Sequence, residues 1–372
     1  MGPYPHDAPP ATISPANPAG TDGFEFVEFA HPDPAALEAL FGTMGLSRVA
    51  RHKRKAISLW RQGNVNFLAN AEPGSHAMRF AGEHGPCAAS MAWRVVDAKQ
   101  AFEHAVAAGA EPVDPQHTRT SIDAPAIHGI GGSLLYFVDR YRDGATAYDL
   151  EFDWIGERDP KPRGAGLYYI DHLTHNVGRG RMDTWSGYYE KLFGFRQIRY
   201  FDIAGKLTGL YSRAMTSPCG KIRIPINESA DASSQIEEYL RDYKGEGIQH
   251  VACGSDDIYA SVDLLRANGL PFMPAPPRVY YDRIERRVPG HGEDENRLAE
   301  RGILLDGEGV DGGGTTKILL QIFSGTVLGP IFFEFIQRKG DDGFGEGNFR
   351  ALFESIEEDQ IRRGVIGTPA AG

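Results

Sequence analysis

Apolar residues recur along this chain in strand-like and helix-like spacings, and the order of those spacings repeats. Phe24-Glu-Phe-Val-Glu-Phe29 reads as a strand and is followed by a helical stretch closing at Leu40-Phe-Gly42. Tyr169 to Val177, followed by a stretch closing at Leu192-Phe-Gly194, has the same form. Ala88 to Val95 and then Ala98 to Gly109 parallel Ile248 to Gly254 and then Ile258 to Gly269. Each is a strand leading into an amphipathic helix that stops at glycine. Last, Leu134 to Asp139, a turn and Tyr148 to Trp154 match Lys317 to Phe323, a turn and Ile331 to Gln337, which predicts a hairpin in each half.

A repeat offset by about 150 residues predicts a repeated fold. The expected architecture is α+β: duplicated strand-helix-strands modules forming two open-barrel domains of mostly antiparallel curved sheet, with helices outside. The domains are expected over 21–158 and 165–363, joined by Asp159-Pro-Lys-Pro-Arg-Gly164. Met1 to Gly20 is rich in proline and alanine and lacks the basic region and apolar core of a signal peptide. It is expected to be a disordered lead-in to a cytoplasmic protein.

Composition narrows the function classes. A chain of 372 residues exceeds one ordinary core, and 41% hydrophobic with 24% charged residues is a soluble globular balance. A formal charge of -11 argues against nucleic acid as a partner. The basic run Arg51-His-Lys-Arg-Lys55 stands against that trend and reads as a solvated strand end or loop. No apolar run approaches the ~20 residues of a membrane span. Cys87, Cys219 and Cys253 are too few and too scattered for a disulfide framework or a Cys-x-x-Cys zinc site, which fits a reducing compartment.

Glu334 carries the first sign of chemistry. It lies inside Pro330-Ile-Phe-Phe-Glu-Phe-Ile336, where strand alternation puts it on one face with Phe332 and Ile336. A carboxylate in an apolar layer needs a partner charge or a metal. Two other strand-like segments carry one histidine each, Tyr168-Tyr-Ile-Asp-His172 and Gly247-Ile-Gln-His250. Either histidine alone reads as an ordinary structural residue. Together with Glu334 they make the two-histidine, one-carboxylate set that holds non-haem Fe(II) on one face and leaves the other open. His175 competes with His172, because residues three apart on a strand face opposite ways and only one can ligate. Placing the halves in register puts Glu25 opposite His172, Ser90 opposite His250 and Glu151 opposite Glu334. Only the second half has all three ligand types, so one metal site is expected there, with the first half as scaffold.

Several longer stretches carry a resemblance: Ile170-Asp-His-Leu-Thr-His-Asn-Val177, Ile222-Arg-Ile-Pro-Ile-Asn-Glu228, Gln235-Ile-Glu-Glu238, Gly245-Glu-Gly-Ile-Gln-His-Val251, Leu319-Leu-Gln-Ile-Phe323, Phe333-Glu-Phe-Ile-Gln-Arg338 and Gly343-Phe-Gly-Glu-Gly-Asn-Phe349. Through them the second half resembles the 4-hydroxyphenylpyruvate dioxygenase family of the vicinal oxygen chelate superfamily over essentially its full length. Gly20 to Ala30 extends the likeness into the first half. The resemblance implies His172, His250 and Glu334 as ligands of Fe(II), with His175 excluded. It implies 4-hydroxyphenylpyruvate and O2 as substrates. The products would be homogentisate and CO2, by decarboxylation, ring hydroxylation and side-chain migration in tyrosine and phenylalanine catabolism. Three protein ligands on an octahedral iron leave room for a chelating 2-oxo acid and dioxygen, so no separate 2-oxoglutarate is implied.

The matching positions also imply a pocket. Phe323 and Phe349 would wall the ring, with Phe344 and Phe353 near the mouth. Gln321 shares a strand face with Phe323 and would meet the substrate hydroxyl. Ser212, Asn227, Gln235 and Gln249 are the other polar positions carried over. A homo-oligomer, dimer or tetramer, is expected. Hydroxymandelate synthesis is the rival reaction, and Pro225 and Asn227 match the ring-hydroxylating pattern better. A ligand-binding member without chemistry is the rival class, and the full ligand set counts against it. Gly343-Phe-Gly-Glu-Gly347 before a helix from Asn348 to about Arg362 could pass for a dinucleotide-binding turn, but no returning parallel strand comes after it. A glycine-hinged lid helix fits better.

Overall fold

Two long strands, β1 (Thr21–Ala30) and its counterpart β9 (Leu167–Val177), are buried along nearly their whole length, and each stands at the middle of a sheet. The computed structural model describes residues 8–142, 144–204, 207–310 and 316–364. The side chains of 308–310, 316, 349, 352, 354, 355, 358 and 359 fall outside that description.

The first sheet adds β2 (Ser47–His52), β3 (Ile57–Gln62), β4 (Val65–Asn70), β5 (Cys87–Val95), β6 (Ala126–His128), β7 (Leu134–Val138) and β8 (Phe152–Trp154). Its spatial order is β6-β7-β5-β1-β4-β3-β2-β8. The second adds β10 (Arg196–Ala204), β11 (Gly209–Thr216), β12 (Arg223–Ser229), β13 (Gly247–Ser255), β14 (Leu304–Val310), β15 (Thr316–Phe323) and β16 (Phe332–Lys339), in the order β10-β11-β12-β9-β13-β16-β15-β14. In the first sheet β1 runs parallel to β4 and β5 to β7, and in the second β9 runs parallel to β12 and β13 to β16. All other ladders are antiparallel, so the duplicated α+β expectation holds, including the β15–β16 hairpin.

The main helices obey the same plan: α1 (Pro34–Thr43), α2 (His76–His84), α3 (Ala98–Ala107) and α4 (Ala147–Glu151) in the first half, α5 (Met182–Phe193), α6 (Gln235–Tyr243) and α7 (Ile258–Ala267) in the second. Three short helices come next, α8 (Arg278–Tyr281), α9 (Ile284–Arg287) and α10 (Glu295–Arg301), and α11 (Glu346–Arg362) comes last. None of the described helices is long and apolar enough to cross a membrane.

One core joins the halves. Phe29 of β1 and Phe67 of β4 meet Phe333 of β16 at ring-centre distances of 6.0 and 5.9 Å, and Trp93 packs on Phe193 and Phe195. The first barrel has its own interior, filled by Phe26, Leu59, Leu68, Tyr136 and Phe152. The second holds only small apolar clusters, which leaves space for polar side chains.

Three expectations need correction. The hairpin expected over Tyr148 to Trp154 does not form, because Thr146 and Asp149 make a capping box that starts α4. Strand β8, directly after α4, pairs with β2 and not with β7. Glu151 therefore ends a helix and is not the counterpart of Glu334. With Ser90 opposite His250, the ladders set Tyr136 against Glu334 through Ala92 and Ala252, and Phe26 against His172. A bulge between Phe24 and Phe26 moves Glu25 out of that register. The lead-in is also held, over the residues described from 8 to 20. Ala19 is fully buried, Asn17 accepts from Thr21 N at 3.0 Å, and Pro18 O and Pro9 O accept from Gln100 and Lys221. The basic run is a strand end and turn, as expected. There Lys53 and Lys55 donate to backbone carbonyls of Leu150 and Thr120, each at 2.8 Å.

Asp22 ties these parts together. It accepts from Lys221 Nζ (2.6 Å), Tyr141 Oη (2.6 Å), Arg142 and the backbone N of Ala11. Burial would raise its pKa, but the bonds from Lys221, Tyr141 and Arg142 outweigh that and hold it below the usual carboxylate range. A depressed folded-state pKa means the stabilisation is complete above the unfolded value of about 3.9 and is lost as pH falls through the folded one. Asp22→Asn should cost about 1–3 kcal/mol in urea unfolding at neutral pH. The deficit should shrink below pH ~3.9. A deficit that is the same in acid would show that Asp22 acts through packing and not through charge.

Candidate metal centre

β9, β13 and β16 lie side by side at the middle of the second sheet, and each turns one ionisable side chain into the barrel. His172 and Thr174 point inward from β9, while Leu173 joins the shared core. His175, on the outer face, meets Tyr189 Oη of α5 at 2.7 Å, and burial pushes its pKa down to about 3. Alternation thus separates the two histidines that the sequence left in competition. His250 comes from β13 between two bulges, and Glu334 from β16 opposite Ala252.

The three side chains converge. Oε2 of Glu334 is 3.1 Å from Nε2 of His172 and 3.4 Å from Nε2 of His250. One ligand atom from each residue lies within 4.8 Å of the others, and all three residues are buried. Nδ1 of His172 donates to Oδ1 of Asp171 at 2.8 Å and Nδ1 of His250 to Oε1 of Gln249 at 3.2 Å, which leaves both Nε2 atoms on the Glu334 side. The Thr174 hydroxyl donates to Nε2 of His250 at 2.9 Å. This donor set, with its imidazole tautomers already fixed, fits a divalent transition metal that keeps open positions toward the cavity.

Asp171 is held in turn by Arg338. Nε and Nη2 of Arg338 reach its two carboxylate oxygens at 2.7 and 2.8 Å, and Nη1 donates to the carbonyls of Asp341 and Gly343. Tyr169 Oη donates to Asp171 at 3.0 Å, and its ring occupies the space a Cβ at Gly254 would need. Burial would raise the pKa of Asp171, but Arg338 holds it well below the usual range. Burial would lower His172, yet Glu334 and Asp171 outweigh it and raise the pKa to about 8. Burial would likewise raise Glu334, but the two imidazoles bring it down to about 2. For His250 burial prevails and the pKa falls.

A cavity opens beside these groups. Ser212, Asn227, Gln321 and Phe323 line it, together with Phe344, whose ring meets that of His172 at 5.4 Å. Both amide atoms of Asn227 are buried without a protein partner among the described residues, so they are available to a ligand. Nε2 of Gln321 donates to Oε1 of Glu334 at 2.7 Å. Gln235 and Gln249 line a neighbouring groove, divided from the cavity by Phe332, which stacks on His250 at 4.6 Å. Phe353 packs beneath α11 with Phe201 and Ile236 and is fully buried. Phe349 is on α11, with its side chain outside the described residues. Thr174 was legible as the same-face neighbour of His172, whereas Phe201 of β10 gave no signal.

Residues 16–153 match the family model described as Hydroxyphenylpyruvate dioxygenase, HPPD, N-terminal, and residues 169–298 that of the Glyoxalase/Bleomycin resistance protein/Dioxygenase superfamily. A 4-hydroxyphenylpyruvate dioxygenase of Pseudomonas aeruginosa is 56% identical over 359 residues, 96% of this chain and 99% of that one. The chain belongs to the 4-hydroxyphenylpyruvate dioxygenase family. Another relative, Hemolysin VllY of Vibrio vulnificus, is 56% identical over 94% of this chain and 98% of its own. A mutant of 4-hydroxymandelate synthase from Streptomyces coelicolor superposes with a TM-score of 0.76 at 24% identity, over 91% of this chain and 99% of that one. That likeness is one of fold.

As an enzyme of the 4-hydroxyphenylpyruvate dioxygenase family, the chain is expected to hold about one divalent metal ion, in the second barrel. Metal analysis of His172→Ala, His250→Ala and Glu334→Ala should each show occupancy near zero, whereas His175→Ala should retain the ion. Full occupancy in His250→Ala, or two ions per chain, would refute the assignment.

Proposed function

We propose that this chain is an Fe(II)-dependent dioxygenase that converts 4-hydroxyphenylpyruvate and O2 to homogentisate and CO2. The observation that carries the reading is the buried His172, His250 and Glu334 set opening onto a cavity with aromatic walls and one unpartnered amide. Bound Fe(II) would supply chelation of the 2-oxo acid and activation of dioxygen, leading to decarboxylation, ring hydroxylation and side-chain migration. One oxygen atom ends in the new carboxylate and the other in the ring hydroxyl, so no second reductant is needed.

The residues of the chain divide the remaining work. His172, His250 and Glu334 would hold the metal, with Asp171 and Arg338 keeping the His172 proton on Nδ1. Gln321 engages Oε1 of Glu334 and leaves Oε2 free for coordination. Asn227, beside Ser212 across the β11–β12 ladder, would meet the phenol hydroxyl. Phe323 and Phe344 would flank the ring, and Phe349 would close it from α11. Gln235 and Gln249 would act from the adjoining groove. Covering of the cavity by α11 would exclude water from reactive states. A homo-oligomer working in the cytoplasm in tyrosine and phenylalanine breakdown completes the reading, on the family resemblance alone.

Incubation with 4-hydroxyphenylpyruvate under air should yield homogentisate, with CO2 release matching oxygen uptake. Hydroxymandelate as the product would instead assign the rival reaction, and tight binding without oxygen uptake would assign a binding protein. Asn227→Ala should lower kcat/KM by roughly 10- to 100-fold, the loss of one or two hydrogen bonds to the substrate, with metal content unchanged.

A further inference from the structure

The short helices between α7 and α10 have no part in the chemistry proposed for the cavity, yet one of their side chains reaches the metal site through hydrogen bonds. The hydroxyl of Tyr280, on α8, donates to Oδ1 of Asn348 at 2.7 Å. Nδ2 of Asn348 donates to Oε1 of Gln321 at 2.8 Å, and Nε2 of Gln321 donates to Oε1 of Glu334 at 2.7 Å. All three donors run toward the carboxylate. Asn348 is fully buried and Gln321 nearly so, which limits competition from water.

A single proton sets that direction. The Tyr280 hydroxyl has a second acceptor within reach, the carbonyl of Leu305 at 3.1 Å. That carbonyl is already served by Nη2 of Arg287 at 2.5 Å, and the backbone N of Leu305 donates to the Tyr280 oxygen at 3.0 Å. The guanidinium of Arg287 also lies 4.5 Å from the centre of the Tyr280 ring. The hydroxyl proton is thereby directed to Asn348. With its oxygen so engaged, Asn348 presents its amino group to Gln321, and Gln321 must present its own to Glu334. If Gln321 turned over, its carbonyl would face the Glu334 carboxylate, and if Asn348 turned over, its carbonyl would face that of Gln321, in each case two acceptors without a proton between them.

The same contacts seat the first turn of α11. Gly345 has a φ of +65°, and a Cβ there would run into Oε1 of Gln321. The backbone N of Gly347 donates to Asp306 at 2.7 Å. The start of α11 is therefore fastened to the hydrogen-bonded chain that orients Glu334.

We propose that Tyr280 is a positioning residue of the reaction, which through Asn348 and Gln321 fixes the Glu334 carboxylate and latches α11 over the cavity. The proposal rests on the dioxygenase reading in taking Glu334 as a ligand. Its test is the full-length holoenzyme with Tyr280→Phe, which keeps the half-buried ring and its contact with Arg287 and removes only the hydroxyl. Expected are a fall in kcat of about tenfold or more, KM changed by less than about threefold, and metal content unchanged. The Co(II)-loaded variant should show a shifted visible d–d spectrum, and amide hydrogen exchange should quicken across 346–362. Arg287→Met, which leaves the Leu305 carbonyl to draw the Tyr280 proton away, should shift the same spectrum in the same direction, and it serves as the test if Tyr280→Phe does not fold. An unchanged Co(II) spectrum with normal exchange in a folded variant overturns the proposal. Because neither readout needs substrate, a protein inactive on 4-hydroxyphenylpyruvate would refute the functional reading and leave the latch to be judged on its own.

Discussion

A carboxylate sits near the middle of an apolar strand, 2% exposed, in a barrel whose neighbouring strands are equally buried. Such a group is costly unless it is surrounded by hydrogen-bond donors or cations, and the second half of the chain is arranged around meeting that demand for Glu334. Two imidazoles face one of its oxygens and the amide of Gln321 faces the other. Asp171, beside His172, adds a second negative charge, and Arg338 cancels it. Counting Glu334, Asp171 and Arg338, the fixed charge is one negative unit. That negative charge is what raises the pKa of His172 against the effect of its burial. A divalent ion would balance it, which is why the set is poised to bind one.

The duplication shows how the same sheet meets the demand without a metal. In the first barrel Glu28 is also buried, but Ser90, Asn70 and Ser121 bond its oxygens. Phe26 and Tyr136 stand where the second barrel has His172 and Glu334, their ring centres 5.8 Å apart, and with Leu59 and Leu68 they fill the interior. The functional asymmetry lies in what fills the two interiors, since the strand orders correspond closely.

The legible parts were those where local pattern and fold agree. β15 and β16 form the hairpin that alternation predicted, and β9 and β13 carry the histidines as read. Glu25 and Glu151 were misplaced for two physical reasons. A bulge in the β1–β5 ladder shifts register by one residue, which nothing in the apolar pattern records. The capping box at Thr146 turned an apparent strand into a helix, and that signal was present in the residues but outweighed by the symmetry argument. The proline- and alanine-rich start reads as disorder, yet Asn17 and Asp22 supply partners from Ala11 onward that composition does not reveal. The division of Gln321, Gln235 and Gln249 between cavity and groove depends on Phe332 standing between them, a fact of packing across strands.

The site is held from the sheet and from the start of α11. The three converging side chains stand on adjacent central strands, where ladder hydrogen bonds fix the backbone and a buried ion pair fixes the His172 ring. Removing one partner of a pair as buried as Asp171 and Arg338 costs about 3–5 kcal/mol, so that side of the site is held firmly. Arg338 also bonds the carbonyls of Asp341 and Gly343, at the start of the segment leading into α11. Gln321 bonds Glu334 on one side and Asn348 of α11 on the other. The approach to α11 and its first turn are thus each tied to the site, the approach through the partner of Asp171 and the first turn through that of Glu334. Asp171 and Glu334 each have a partner that also bonds the chain at or just before the start of α11, so the orientation of His172 and of Glu334 depends on how that start is seated.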